Sequence, residues 1–157
     1  MRIIVFGATG DVGRRVVMEA LARGHRITAV ARSTASLAVT SGHIEPIDAD
    51  LLAEPHIAPA LIDGHDAAIS ALRPPGGRES LLVDLTRAVV EGAAVSDVPI
   101  FVAGGAATLK LADDSGHTVL TAPGLLPDAI RPIAEACAAQ VALLEASPHA
   151  RWNHLLP

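Results

Sequence analysis

Apolar positions along this chain alternate between two kinds of pattern. One kind is a short, nearly continuous run rich in Val, Ile and Ala: Ile3 to Phe6, Ile27 to Ala31, Ala67 to Leu72 and Ile100 to Ala103. The other is a longer segment whose apolar residues recur every three or four positions. Val12, Val16, Val17, Ala20 and Leu21 form one such stripe, and Leu82, Leu85, Ala88, Val89 and Ala93 form another. The first pattern predicts strands buried on both faces, and the second predicts helices. Weaker signals add a short strand over His43 to Ile47, a helix from about Asp128 to Ser147 and a last strand over Arg151 to Leu156. Pro46 has no N–H to donate, so its strand is expected at an edge. The segment after Asp50 reads as a poor helix, broken by Pro55 and Pro59 and ending near Gly64. Strands alternating with helices imply an α/β fold: a doubly wound parallel sheet, three layers thick, in the order 3-2-1-4-5-6. One domain over residues 1–157 suits that plan.

Where the first run ends, three glycines follow at the spacing GxxGxxG: Gly7, Gly10 and Gly13. Gly7 lets the chain leave the strand with a backbone angle most residues avoid. Gly10 removes a side chain where an anion must approach the backbone, and Gly13 lets the next helix lie close to the sheet. The N–H groups at the helix start then face that anion. The position of this turn, after an apolar strand and before a helix, points to a nucleotide pyrophosphate. The crevice of such a sheet opens at the carboxyl ends of strands one and four. It would take in Gly7, Thr9, Gly10, Asp11, Val12, Gly13, Arg32, Asp50, Ser70, Ala71, Leu72, Arg73, Gly104, Gly105 and Ala106.

Composition narrows the function. Half of the residues are apolar, 18% are charged and the formal charge is −5, with no basic run. That excludes a nucleic-acid footprint. No apolar run approaches the ~18 residues of a membrane span. Cys137 is the single cysteine, which fits a reducing, cytoplasmic setting. No leader is expected, because Met1 opens directly into a strand. The seven histidines lack paired ligand spacing, so no metal is expected.

Arg32 stands just after strand two, where NAD-specific domains tend to carry an acid for the ribose 2′-OH. A guanidinium there would pair with a 2′-phosphate, so NADP(H) is expected over NAD(H). Arg14 either adds a second positive charge or is a solvated surface residue. Ser70 and Ala71 leave room for the nicotinamide ribose, and Gly104 and Gly105 leave a flat floor beside it. The long segment from Gly104 to Asp128 is of a length associated with functional loops.

Several stretches in order, Gly7-Ala8-Thr9-Gly10-Asp11-Val12-Gly13, Ala31-Arg32, Asp50-Leu51, Asp66 to Leu72 and Val102-Ala103-Gly104-Gly105-Ala106, resemble a known family. So do Thr121-Ala122-Pro123-Gly124 and Trp152 to Pro157. The resemblance is to atypical short-chain dehydrogenase/reductases with an NAD(P)-binding Rossmann domain, including NmrA-like proteins, NADH-flavin reductases and the biliverdin-IXβ reductase. It implies a nicotinamide cofactor, with Leu51 among the cofactor residues and Asp50 accepting from the adenine amino group, unless Asp50 is a helix N-cap. There are two departures. Members typically continue past the Trp-x-x-x-x-Pro strand, whereas this sequence ends at Pro157. Self-association through the last strand, as in a homodimer, is therefore expected. The Tyr-x-x-x-Lys pair of extended members is missing from Arg131 to Gln140, and Gly105-Ala106 stand where flavin-reductase-like members place a Ser. No catalytic acid is visible.

The resemblance implies hydride transfer from NADPH to a flat acceptor such as a flavin or quinone, which tolerates those losses. The alternative is an NmrA-like regulator that senses NADP(H) without turnover. A nucleotide-sugar epimerase or dehydratase is weaker, because that chemistry leans on the missing Tyr.

Overall fold

The computed structural model describes residues 1–37 and 42–156. Its centre is a six-stranded sheet in the order β3-β2-β1-β4-β5-β6, and all five pairings are parallel. The strands are β1 Arg2–Phe6, β2 Arg26–Ala31, β3 Ile44–Asp48, β4 Ala67–Ser70, β5 Ile100–Ala103 and β6 Trp152–Leu155. The helices are α1 Asp11–Ala22, α2 Ala58–Ile62, α3 Leu81–Val95 and α4 Arg131–Glu145. This is the doubly wound, Rossmann-like arrangement that the alternating apolar pattern predicts. Pro46 lies on the edge strand β3, where its missing N–H breaks no central ladder.

The alternation of side chains builds two cores. Ile3, Val5, Ile27 and Ala29 face α1 and meet Val17 and Ala20. Ile4, Phe6, Ala68, Ile100 and Val102 face the other way, against Ala58 and Ile62 of α2, Leu85, Val89, Val90 and Ala93 of α3 and Leu144 of α4. Phe6 is wholly buried, and burying a side chain of that size contributes about 1.5–3 kcal/mol. A third, smaller cluster joins Leu82, Ala107, Ala134 and Cys137 between α3, α4 and the segment after β5.

Element ends differ from the sequence expectation where proline decides. The segment after Asp50 becomes a 3-10 turn begun by Pro55, then five helical residues with Pro59 in the first turn. α4 starts at Arg131 with Pro132 beside it, because Pro is favoured where no N–H partner is needed. The segment after β5 is not a featureless loop. It holds a 3-10 turn at Ala106–Thr108 and a small antiparallel ladder, in which Lys110 pairs with Thr118 and Leu111 N–H donates to the His117 carbonyl at 2.9 Å. Among the described residues no helix is long and apolar enough to cross a membrane. Pro157, the last residue of the Trp-x-x-x-x-Pro stretch, lies outside the described residues.

Candidate functional site

β1 sits between β2 and β4, so the chain reverses its direction of winding there. Crossovers to either side leave a gap above the carboxyl ends of β1 and β4. The glycine turn fills the bottom of that gap. Gly7 has φ +77°, and a Cβ on it would lie 2.5 Å from the Ala71 carbonyl oxygen. Gly7 and Ala8 both donate N–H to the Val30 carbonyl, at 2.9 and 3.1 Å, which ties the turn to the end of β2. A Cβ on Gly13 would stand 2.1 Å from the Gly7 carbonyl oxygen, so α1 approaches the turn closer than any side chain allows. Gly10 differs. Its added Cβ would meet only the Gly7 oxygen, at 3.3 Å, so the space above it is not occupied by protein. Gly10 is also the N-cap of α1 and supplies no side-chain acceptor. The first-turn N–H groups of the helix therefore remain available to an outside anion.

Two adjoining depressions open from this point. The first is a cleft of about 170 Å³ with both polar and apolar walls. Gly7, Thr9, Gly10, Arg32, Asp50, Leu51, Ala71, Leu72 and Arg73 of the expected crevice line it, together with Pro74. Arg32 is exposed and makes no ion pair among the described residues. The chain just beyond it is anchored, since Thr34 donates both its N–H (2.8 Å) and its hydroxyl (2.7 Å) to Asp48 at the end of β3. The Thr34 hydroxyl, and then its N–H, hold the Asp48 carboxyl below the usual carboxylate range. One oxygen of Asp50 accepts the Leu52 N–H at 3.0 Å, an Asx turn rather than a helix cap, which leaves its second oxygen for another donor.

The second depression is an apolar cavity of about 440 Å³ between the end of β5, α3, α4 and the segment after β5. Val12, Ala71, Leu72, Arg73, Gly104, Gly105 and Ala106 contribute to it from the predicted set, and Leu82, Val119, Leu126, Ile133, Cys137 and Gln140 are among its other lining residues. His154 of β6 covers the Gly104 Cα so closely that no side chain would fit there. Burial pushes the His154 imidazole below its ordinary value, and its Nε2 has no hydrogen-bond partner among the described residues. Burial likewise pushes the Cys137 thiol up, partly opposed by the Arg73 guanidinium and the Gly105 N–H. Gln140 is buried, and its amide orientation is set by a relay. The Thr86 hydroxyl donates to the Leu82 carbonyl (2.7 Å) and so accepts from Gln140 Nε2 (2.9 Å), leaving Gln140 Oε1 without a donor among the described residues.

Not every predicted residue lines these walls. Asp11 and Arg14 pair with each other at 3.3 Å on the exposed side of α1, so the Arg14 charge is turned to its neighbour. Gly13 acts through packing, and Ser70 is buried at the end of β4. Sequence reasoning missed Gln140 and His154. Their only signal was a polar residue on an otherwise apolar stripe. No group of three His, Cys, Asp or Glu among the described residues could hold a metal ion.

Comparison with known proteins meets this geometry at the same place. The profile of the NAD(P)H-binding family matches residues 7–157. The chain belongs to that family. Its fold is that of the atypical short-chain dehydrogenase/reductases. A protein of Streptococcus pneumoniae provisionally named an NADH-flavin reductase superposes with a TM-score of 0.86 at 27% identity, over 100% of this chain and 71% of that one. One of Bacteroides thetaiotaomicron provisionally named an epimerase gives 0.87 at 26% identity, over 99% and 70%. A 4-hydroxy-tetrahydrodipicolinate reductase of Natronomonas pharaonis is 32% identical over 121 residues, 73% of this chain and 42% of that protein. The chain thus spans less than half of that reductase. As a family member it carries a nicotinamide-binding domain. The free space over Gly10 and the uncapped start of α1 suit a dinucleotide pyrophosphate.

Proposed function

We propose that this chain is an NADPH-dependent oxidoreductase that transfers a hydride to a flat acceptor, a flavin or a similar ring. The observation that carries the reading is the sharing of one wall, Ala71-Leu72-Arg73, by the cleft at the glycine turn and an apolar cavity. A cofactor in the first would end beside a flat ligand in the second. Thr9, Asp11, Val12 and Gly13 would present the pyrophosphate with backbone N–H groups and the dipole of α1, while Gly7 and Gly10, whose N–H groups are taken by the Val30 and Gly7 carbonyls, would shape the turn and leave room above it. Arg32 would meet the 2′-phosphate in bidentate fashion. The second oxygen of Asp50, beside Leu51, would face the adenine end. Ser70, Ala71 and Leu72 would flank the nicotinamide ribose, and Gly104 and Gly105 would form the floor.

Bound there, NADPH supplies the hydride, and water supplies the proton that balances the reduced acceptor. The residues of the chain then have two tasks: holding the ring planes together and keeping water out of the contact. That suits a cavity whose wall carries no Tyr, Lys or carboxylate. A pure sensor of NADP(H) needs the cleft but gains nothing from an acceptor cavity beside it, so the cavity favours turnover. Loss of NADPH absorbance with a flavin or naphthoquinone present tests the reading. Tight NADPH binding with no oxidation by either acceptor would leave the sensor instead.

A further inference from the structure

Of the side chains that line the apolar cavity, only Arg73, Cys137 and Gln140 carry polar atoms. Arg73 is exposed at the rim. The other two lie one turn apart on α4, along the face that borders the cavity. Burial deepens along that helix: Ile130, which caps its start, is 48% exposed, Cys137 is 8% and Gln140 is 1%. Gln140 therefore stands at the inner end of the cavity, away from bulk solvent. Its amide is not free to turn. Thr86 donates its own hydroxyl proton to the Leu82 carbonyl at 2.7 Å and can only accept from Gln140, so it takes the Nε2 end at 2.9 Å. What remains for the cavity is Oε1, an acceptor with no donor among the described residues, and the Cys137 thiol does not reach it. A water lodged beside Oε1 would find few further polar atoms in that wall, whereas a buried water ordinarily makes about three hydrogen bonds. A buried acceptor left unpaired is costly, and a ligand that brings a donor removes the cost.

We propose that Gln140 is a specificity-determining residue of the cavity, and that the ligand is a ring whose innermost edge carries an uncharged N–H or O–H donor for Oε1. The proposal rests on the oxidoreductase reading above for calling that ligand the hydride acceptor, and it narrows the acceptor's class. A lactam or imide edge meets the requirement. A simple quinone has only carbonyl oxygens to offer and sets lone pairs against lone pairs there. A cationic donor would have to leave its charge among apolar side chains, which disfavours it.

Lumiflavin and 3-methyllumiflavin share a neutral ring and differ in one N–H. With NADP+ present, we expect the wild-type protein to quench lumiflavin fluorescence at a Kd at least about tenfold below that for the methylated ring. Raising the salt should leave that ratio unchanged, because the contact is uncharged and buried. Gln140→Met keeps the length of the side chain and removes the acceptor, so it should bring the ratio of the two Kd values to about one by weakening lumiflavin. Thr86→Val releases the amide to turn, and should reduce the preference without abolishing it. Equal wild-type affinities, or no binding of either ring, would overturn the proposal. So would a preference that persists in full in Gln140→Met, since shape alone would then exclude the methyl group. An unchanged preference in Thr86→Val overturns it as well, and that variant decides the matter if Gln140→Met does not fold. NADPH oxidation by lumiflavin is followed separately. A preference without oxidation ends the oxidoreductase reading and leaves the donor-edge site standing; oxidation with a Kd ratio of one does the reverse.

Discussion

The cleft and the cavity share a wall but are made in different ways. The cleft is built around a glycine turn, the residue that caps a helix and the ends of three neighbouring strands. The cavity is made of side chains from α3, α4, the end of β5 and the segment after it. In the cleft, the shape of the turn comes from the places where a Cβ cannot stand. In the cavity, specificity comes from which few polar atoms interrupt an apolar surface. A cofactor common to many proteins suits the first construction, and an acceptor peculiar to one suits the second. Changes in the two regions should therefore fail differently.

The largest effects should come from the glycine turn, and they should separate packing from binding. Gly13→Val forces side-chain atoms into the Gly7 carbonyl, and neither backbone can yield without moving α1. We expect a loss of roughly 2–4 kcal/mol in urea-unfolding stability, with binding lost as a consequence. Gly10→Val meets only one oxygen at 3.3 Å. It should keep the circular dichroism spectrum and most of the stability while abolishing NADPH binding. If Gly10→Val binds as the wild type does, the turn does not hold the pyrophosphate and the comparison of the two regions collapses.

Next in size is cofactor choice within the cleft. Arg32→Asp should weaken NADPH by about 1.5–3 kcal/mol relative to NADH, the worth of one charge-assisted contact. Titration with both cofactors reads the difference directly. Equal losses would mean that Arg32 does not meet the 2′-phosphate.

The same contrast explains what could be read from the sequence. Gly7, Gly10 and Gly13 announce the cleft because their constraints are local: strand, turn and helix follow one another within a dozen positions. The strand order followed from apolar runs alternating with helical stripes, and Pro46 marked its edge. The cavity was largely illegible. Val119 and Leu126 fall in a stretch without periodicity, and they reach the wall only because a small ladder from Lys110 to Thr118 turns the chain back. Gln140 looked like an ordinary helix residue, since nothing along the chain shows that Thr86, on another helix, fixes its amide. Arg14 is as ambiguous in the structure as in the sequence: it is exposed beside Gly13 and lies 3.3 Å from Asp11, three positions earlier.

A smaller effect probes the polar relay behind the cavity. Thr86→Val removes the oxygen that accepts from Gln140 Nε2, leaving both ends of a buried amide unpaired. A loss of about 1–3 kcal/mol is expected. Gln140→Met removes the unpartnered Oε1 together with the donor, so its effect should stay within about 1 kcal/mol. Thermal or urea melts of the two variants give the order. A Gln140→Met variant less stable than Thr86→Val would mean that Oε1 already has a partner inside the protein.

The smallest effect is a pH dependence on the cavity side. His154 is partly buried against Gly104, and burial lowers its pKa below the ordinary 6.5. A lowered value means that the folded state binds its proton less readily than the unfolded state does. Between the ordinary value and the lower folded one, the unfolded chain carries more protons, so stability falls as pH falls through that window. Above about pH 6.5 the imidazole is neutral in both states and contributes no slope. His154→Leu should remove this part of the decline while leaving the cleft, and hence NADPH affinity at neutral pH, alone. Asp48 acts in the same direction but at lower pH, because its carboxylate is favoured by Thr34 in the folded state and is lost only as pH drops through the acid range. Stability measured against pH in the wild type and in His154→Leu should therefore diverge first just below 6.5 and run parallel in the acid range. Two curves that stay parallel from neutral pH downward would show that His154 keeps an ordinary pKa and that this end of the cavity is open to water.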